Sequence, residues 1–152
     1  MKSNNYLKFS AMMAVSFVIM YAVMFLNADL FDHVMLSTTR TYMTILMVAP
    51  MAVSMLLFMW GMYENKKVNF MILGAAVILF IATLTMLRNQ TLIADVQWMK
   101  AMIPHHSSAI MVSQKAHLKD PEAQQLAKDI IEAQKKEIAQ MKAMIKRLEE
   151  SE

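Results

Sequence analysis

The residues best suited to chemistry lie in one stretch of the chain, residues 95–111. It holds two adjacent histidines, His105 and His106, with three methionines and an aspartate, all within about five turns of helix. Imidazole nitrogens and thioether sulfurs are both metal ligands, and thioethers favour soft ions such as Cu(I) over Mg²⁺, Ca²⁺ or Mn²⁺. The stretch therefore predicts half of a soft-metal site.

The polar members of this stretch fall on helix faces that are otherwise apolar. At alternating steps of four and three, the helix that contains this stretch presents Asp95, Met99, Met102, His106, Ile110, Ser113 and His117. The same steps in the last helix give Ile130, Gln134, Glu137, Met141, Met144 and Leu148, flanked by Leu126, Ile131, Ile138 and Ile145. Such stripes are expected to face a partner and to be buried.

Buried polar groups on these stripes have three explanations. A buried carboxylate costs several kcal/mol unless it is paired or binds a cation. The polar groups can satisfy one another in a hydrogen-bonded network, or they can bind a metal. Alternatively, Pro104 can rotate the register of its helix and leave Asp95 exposed.

The metal explanation gives nine candidate ligands. His105 and His106 come first, and each methionine taken singly is equally explained as core packing. Asp95 and Glu137 are secondary ligands or groups that orient an imidazole, whereas His117 is more typical of a helix C-terminal cap. The set is Asp95, Met99, Met102, His105, His106, Met111, Gln134, Glu137 and Met141.

Three uncharged runs predict transmembrane helices. They are residues 9–28, 41–63 and 68–87, in a chain that is 57% hydrophobic with only two glycines. A helix of about 20 residues matches the hydrocarbon thickness of a bilayer. The first run exceeds the apolar core of a signal peptide and no clear cleavage site follows it, so we expect it to be retained.

The lysines flanking these runs predict their orientation. Lys2 and Lys8 precede the first span, and Lys66 and Lys67 lie between the second and third, whereas the first loop carries mainly acids. The positive-inside rule then places the N-terminus in the cytoplasm and the C-terminal segment outside it.

A row of methionines runs along the second span at four-residue steps, from Met43 to Met59, and Met62 follows. Adaptable packing explains such a row, and a thioether ladder that passes Cu(I) through the bilayer is the alternative. The first loop holds Asp32, His33 and Met35, which form either an ordinary interfacial loop or a lid or satellite site for the metal.

Composition argues against other classes of function. Residues 1–91 carry six Lys/Arg against three acids, whereas residues 92–152 carry nine of each, so the net charge of +3 belongs to the membrane half. No basic patch supports nucleic-acid binding, and the absence of cysteine excludes disulfides and thiolate ligands. No nucleophile–base–oxyanion constellation is visible, so we do not expect an enzyme.

Residues 95–111 and 130–141 together resemble family 305 of the domains of unknown function. The family's pattern is Asp, then Met-Ile-x-His-His-x-x-Ala-Ile-x-Met, then Gln-x-x-Glu-Ile-x-x-Met, over about 60 residues, and this chain departs from it at Ile110-Met111-Val112. The resemblance implies a ferritin-like helical fold and an association with copper or silver tolerance in the bacterial periplasm. It places this motif on Asp95, Met102, His105, His106, Gln134, Glu137 and Met141.

These observations predict an all-α protein of two regions. Residues 1–90 form three transmembrane helices, and residues 91–152 form an extracytoplasmic helical hairpin that completes a four-helix bundle by homodimerisation, because two helices cannot bury wide apolar faces alone. We expect a bacterial inner-membrane protein that binds Cu(I) or Ag(I) for sequestration, tolerance or hand-off. The alternative is a metal-free module whose His/Gln/Glu network specifies dimerisation or docking to a membrane partner.

Overall fold

The computed structural model describes residues 3–151, which are helical apart from their connecting segments. Lys2, one of the cations used to orient the first span, lies outside the described residues. Short 3₁₀ turns occur at Phe31–His33 and Trp60–Met62. The α-helices are α1 (Ser3–Val23), α2 (Thr38–Phe58), α3 (Lys66–Arg88), α4 (Asp95–Lys115) and α5 (Pro121–Glu149). The all-α class is confirmed.

The first three helices are long and apolar enough to cross a membrane, as predicted. Their mean hydropathies are 1.6, 1.8 and 2.5. Two helix ends differ from the predicted spans: α1 ends at Val23 instead of Ala28, and α2 begins at Thr38 instead of Thr41. The residues after Val23 belong to a connection in which the Asn27 side chain and the Asp29 amide donate hydrogen bonds to α4.

The chain forms two compact units. One, here called the three-helix unit, comprises the residues up to Met24 together with Thr39–Thr91. Its interior contains Phe9, Ala52, Leu56 and Tyr63. Asn69 is fully buried there and is satisfied, because its amide donates to the Tyr63 carbonyl at 2.7 Å and its oxygen accepts from the Tyr6 hydroxyl at 2.8 Å.

The other unit, here called the hairpin unit, comprises Phe25–Thr38 and the residues from Leu92 onward. Helices α4 and α5 pack as an antiparallel hairpin, and Lys100 pairs with Glu149 across it at 2.6 Å. The sequence Asp120-Pro121 is typical of a helix start, and α5 begins there: Asp120 accepts a hydrogen bond from the Ala123 amide at 2.8 Å and Pro121 is the first helical residue. The hairpin core consists of Met99, Ile103, Ile110, Ile138, Met141 and Ile145.

The start of α4 differs from the prediction, which placed it near Thr91. Gln90 and Leu92 have φ angles of 52° and 60°, a region that no continuous right-handed helix contains, so α4 begins only at Asp95. It then continues through Pro104, which is buried, without the interruption that we considered. Since the helix is unbroken, successive residues keep steps of about 100° around its axis.

Candidate metal centre

The seam between α4 and α5 has a different register on α5 from the one predicted. Ile138, Met141 and Ile145 are buried, whereas the side chain of Glu137 is 49% exposed and Met144 is 45% exposed. The predicted stripe is therefore correct at Met141 and wrong at Glu137 and Met144, and the flanking Ile138 and Ile145 take the inward positions. Turning the isoleucine stripe inward buries more apolar surface than turning inward a stripe that contains a carboxylate.

His106 lies at the edge of this seam, beside Glu137. Its side chain is 13% exposed, and Nδ1 lies 3.2 Å from Oε2 of Glu137. The two atoms are close but not aligned as a hydrogen bond, and this buried nitrogen has no hydrogen-bond partner among residues 3–151. Burial lowers the pKa of His106, an effect that Glu137 opposes and His105 reinforces. The lowered pKa favours the neutral ring, in which one of the two nitrogens keeps a lone pair.

His105 is exposed, and its ring centroid lies 6.1 Å from that of His106 at an interplanar angle of 59°. A metal ion about 2 Å from one nitrogen of each ring would hold two such centroids roughly 5 to 6.5 Å apart. The observed separation is compatible with one ion shared by the two rings.

Three further candidates surround this pair. Met102 precedes His106 by one turn and packs, partly buried, against the core. On α5, Met141 is 6% exposed and lies one turn after Glu137. Gln134 is partly buried, and in the described part of the chain its side-chain oxygen finds no hydrogen-bond partner. Each of these three residues thus lies within about one turn of His106 or of Glu137 on its own helix.

The remaining candidates lie apart from this group. Asp95 is exposed in the first turn of α4, about 16 Å along the helix from His106, so its predicted inward position was wrong. Met99 is 3% exposed in the core, two turns away from His106. Met111 is rotated by about 140° from His106 around the helix and belongs to another face.

Ligands of the harder kind are not concentrated here. Among residues 3–151, no group of three or more His, Cys, Asp or Glu side chains is assembled in a way that could hold a metal ion.

The face of the hairpin that carries His105 is open and apolar. Its large apolar members are half exposed: Trp98 at 50%, Val112 at 52%, Leu126 at 60% and Met144 at 45%. On α4, this face is opposite Ser107, because Trp98, His105 and Val112 lie about 140° to 180° from it around the axis. We refer to this surface as the open face, and it comprises Trp98, His105, Val112, Leu126, Glu137 and Met144.

The opposite side of α4 is covered by the first loop, which the sequence did not predict in detail. Ser107 is fully buried. Its hydroxyl oxygen accepts the Asp29 amide at 2.7 Å and lies 2.8 Å from Nδ1 of His33. The hydroxyl has one proton and two lone pairs, so it pairs with Nδ1 of His33 in either neutral tautomer of the ring.

Charged and amide contacts extend this attachment. Asp32 forms an ion pair and hydrogen bond with Lys142, which lowers the pKa of Asp32. The Gln97 side-chain oxygen accepts from the Thr38 amide at 3.0 Å, and Met35 packs on the hairpin core. Burial, and secondarily the charge of Lys142, lowers the pKa of His33, which is 7% exposed. His33 is thus a buried structural group and not a free ligand.

The signal for this attachment was present but ambiguous. The sequence singled out Asp32, His33 and Met35, and the two serines after the histidine pair, Ser107 and Ser108, are the acceptors that loop residues use. Nothing in a linear sequence pairs a serine with a histidine 74 residues away.

Comparison with known proteins connects this architecture to a family. Residues 79–145 match the family described as "Domain of unknown function (DUF305)". The chain is also similar to an uncharacterized protein of Acanthamoeba polyphaga mimivirus, with 34% identity over 137 residues, 88% of each chain. No solved structure matches.

Proposed function

We propose that this chain, which belongs to the DUF305 family, is a membrane-anchored protein that binds a soft metal ion of the Cu(I) or Ag(I) class. The hairpin unit would bind the ion through His105, His106 and Met102. The observation that carries the proposal is the buried Nδ1 of His106, which has no aligned hydrogen-bond partner among the described residues and belongs to a ring whose pKa is lowered.

Neighbouring groups support the same assignment. A neutral imidazole is the form that binds metals, and a thioether one turn away adds a soft donor. Glu137, 3.2 Å from the His106 ring, is suited to orienting that imidazole or to balancing the charge of the ion. Gln134 and Met141 would close the inner side of the site. Storage, tolerance or hand-off suits such a site better than catalysis.

A second copy of the chain completes the site in this proposal. The open face leaves Trp98, Val112 and Met144 half exposed around His105. Two such faces packed together would form a ferritin-like four-helix bundle and bring both histidine pairs near one axis. Val112→Lys is then expected to leave a monomer in detergent, whereas Lys128→Ala on the solvated side of α5 is expected to leave the dimer intact.

The three helices would anchor the hairpin at a cell membrane, with the N-terminus in the cytoplasm. Lys8, Lys66 and Lys67 flank the ends assigned to that side, as the positive-inside rule requires. The hairpin would then lie in the periplasm or its equivalent. A protease added to intact spheroplasts should cut near the exposed Lys119 and Asp120.

The second candidate function is a metal-free interaction module, which the exposed apolar residues of the open face favour. In that case the contact between His106 and Glu137 is a structural polar pair, and the half-exposed Trp98, Val112, Leu126 and Met144 are the binding surface. A membrane partner or a second copy would cover them without any ion.

A metal titration separates the two functions. The full-length protein in detergent is titrated with Cu(I), Ag(I) and Zn(II), beside His105→Ala/His106→Ala and a matched His117→Ala control, since His117 is an exposed histidine outside the site. A smaller amount of bound Cu(I) or Ag(I) per chain in the double variant alone supports the metal function. Equal binding by all three proteins, or a double variant that loses only its dimer, refutes it.

A further inference from the structure

The three-helix unit carries a methionine-lined groove between α1 and α2. The groove has a volume of about 360 Å³. Its wall is formed by Ala11, Met12, Met13, Val15, Ser16, Met51 and Met55. Four of these seven side chains are thioethers, two from each helix.

These methionines are not the core of the unit. The fully packed residues beside them are Ala52 and Leu56, which are 8% and 0% exposed. Met51 and Met55 flank that core and are only partly buried, and Met12 is 39% exposed. Met13 and Met55 pack against that core while staying partly buried, so their side chains lie between the core and the groove.

Helix geometry lets the sulfurs converge. Met51 and Met55 are one turn apart on α2, with Cβ atoms about 5 to 6 Å from each other. Met12 and Met13 are adjacent on α1, and both reach the groove wall. Methionine has three rotatable side-chain bonds, so four flexible thioethers can close around an ion much smaller than the groove.

The chemistry of the wall selects the kind of ion. No carboxylate is among the residues that line this groove, and its one polar side chain is Ser16. Uncharged soft donors in an apolar setting favour a soft ion. A monovalent ion is also preferred, because the cost of desolvating an ion rises steeply with its charge.

A neighbouring groove is less suitable. It shares Ala11 and Met12 with the first and adds Met59 and Met62, but Lys8 also lines it. A fixed positive charge repels a cation most strongly where the dielectric constant is low. The methionine-lined groove, which has no lysine in its wall, is therefore the better site for a cation.

We infer that Met12, Met13, Met51 and Met55 form a second binding site for a soft monovalent cation, of the Cu(I) or Ag(I) class, within the three-helix unit. This site is independent of the hairpin site proposed above. It uses α1 methionines that the row along α2 does not include.

The test uses the full-length chain with the hairpin histidines removed. In the His105→Ala/His106→Ala background, Ag(I) binding is measured in detergent by equilibrium dialysis. The test variant adds Met51→Leu/Met55→Leu, which conserves volume and apolarity. The control adds Met43→Leu/Met47→Leu, on the same helix and at the same spacing but absent from the walls of both grooves.

The expected result is about one tightly bound Ag(I) in the background protein and in the control, and at least a tenfold weaker affinity in the test variant. Circular dichroism and gel filtration confirm that both variants are folded. No Ag(I) bound in the background protein, or equal binding by test and control, overturns the inference. The protein that keeps His105 and His106 is titrated separately to measure binding at the hairpin site. Failure of one site is therefore distinguishable from failure of the other.

Discussion

Removing the Ser107 hydroxyl should release the first loop from the hairpin. Ser107 is fully buried and serves two loop groups, the Asp29 amide at 2.7 Å and Nδ1 of His33 at 2.8 Å. Ser107→Ala leaves both without this partner. A buried unsatisfied group costs about 1–3 kcal/mol, and the Asp29 amide is only partly buried, so we expect a total of roughly 2–4 kcal/mol.

That energy corresponds to a large change in loop opening. At about 1.4 kcal/mol per tenfold, the opening equilibrium of residues 25–38 should rise by roughly 30-fold or more. Hydrogen exchange of peptides from this segment measures the change directly. Peptides from α5 near Ile138 should keep their protection, because the hairpin core does not use the hydroxyl.

Ser108→Ala is the matched control. Ser108 also accepts from the loop, at 2.7 Å from the Asn27 side chain, but this contact is exposed, so water can replace it and the cost should be about 0.5–1 kcal/mol or less. Equal exchange in the two variants would refute the reasoning. So would a Ser107→Ala protein whose loop is protected like that of the wild type.

Three further outcomes follow from the structure. Ile103→Ala, at a residue with 0% exposure, should destabilise the hairpin unit by about 2–5 kcal/mol, whereas Val112→Ala at 52% exposure should cost little; thermal melts followed by circular dichroism compare them. Asp120→Ala removes the α5 N-cap and should cost about 0.5–2 kcal/mol, measured as increased exchange in the first turn of α5. The pKa of His33 is lowered in the folded state from the ordinary histidine value of 6.5. The unfolded chain therefore binds more protons than the folded protein as the pH falls below 6.5. The free energy of unfolding should keep its full value above that pH and decrease as the pH falls toward the folded-state pKa. Chemical denaturation at pH 7 and pH 5 should show this loss, and His33→Gln should reduce it.

The attachment of the first loop lies next to one of the proposed metal ligands. Ser107 directly follows His106, a proposed ligand, and the loop that Ser107 holds is covalently continuous with both α1 and α2. Displacement of this turn of α4 by a bound ion would therefore act first on Asp29 and His33. Hydrogen exchange of residues 25–38 with and without Ag(I) tests that link.

The sequence by itself determined the helical class, the three apolar spans and the start of α5. Each of these follows from local rules, namely runs of about 20 apolar residues, helical periodicity, and an Asp-Pro start signal that the Asp120 cap confirms. The sequence also singled out His106 on an apolar stripe, with His105 beside it, as candidate ligands, and that assignment stays a prediction.

Tertiary structure decided which of these residues meet. Two adjacent stripes on α5 were both apolar enough to be buried, and only packing against α4 turned Ile138 inward and left Glu137 at the edge. The exposure of Asp95 likewise depends on where α4 begins, which the φ angles of Gln90 and Leu92 set. Contacts between distant residues, such as His33 with Ser107, depend on the path of the whole chain and leave no local periodicity to read.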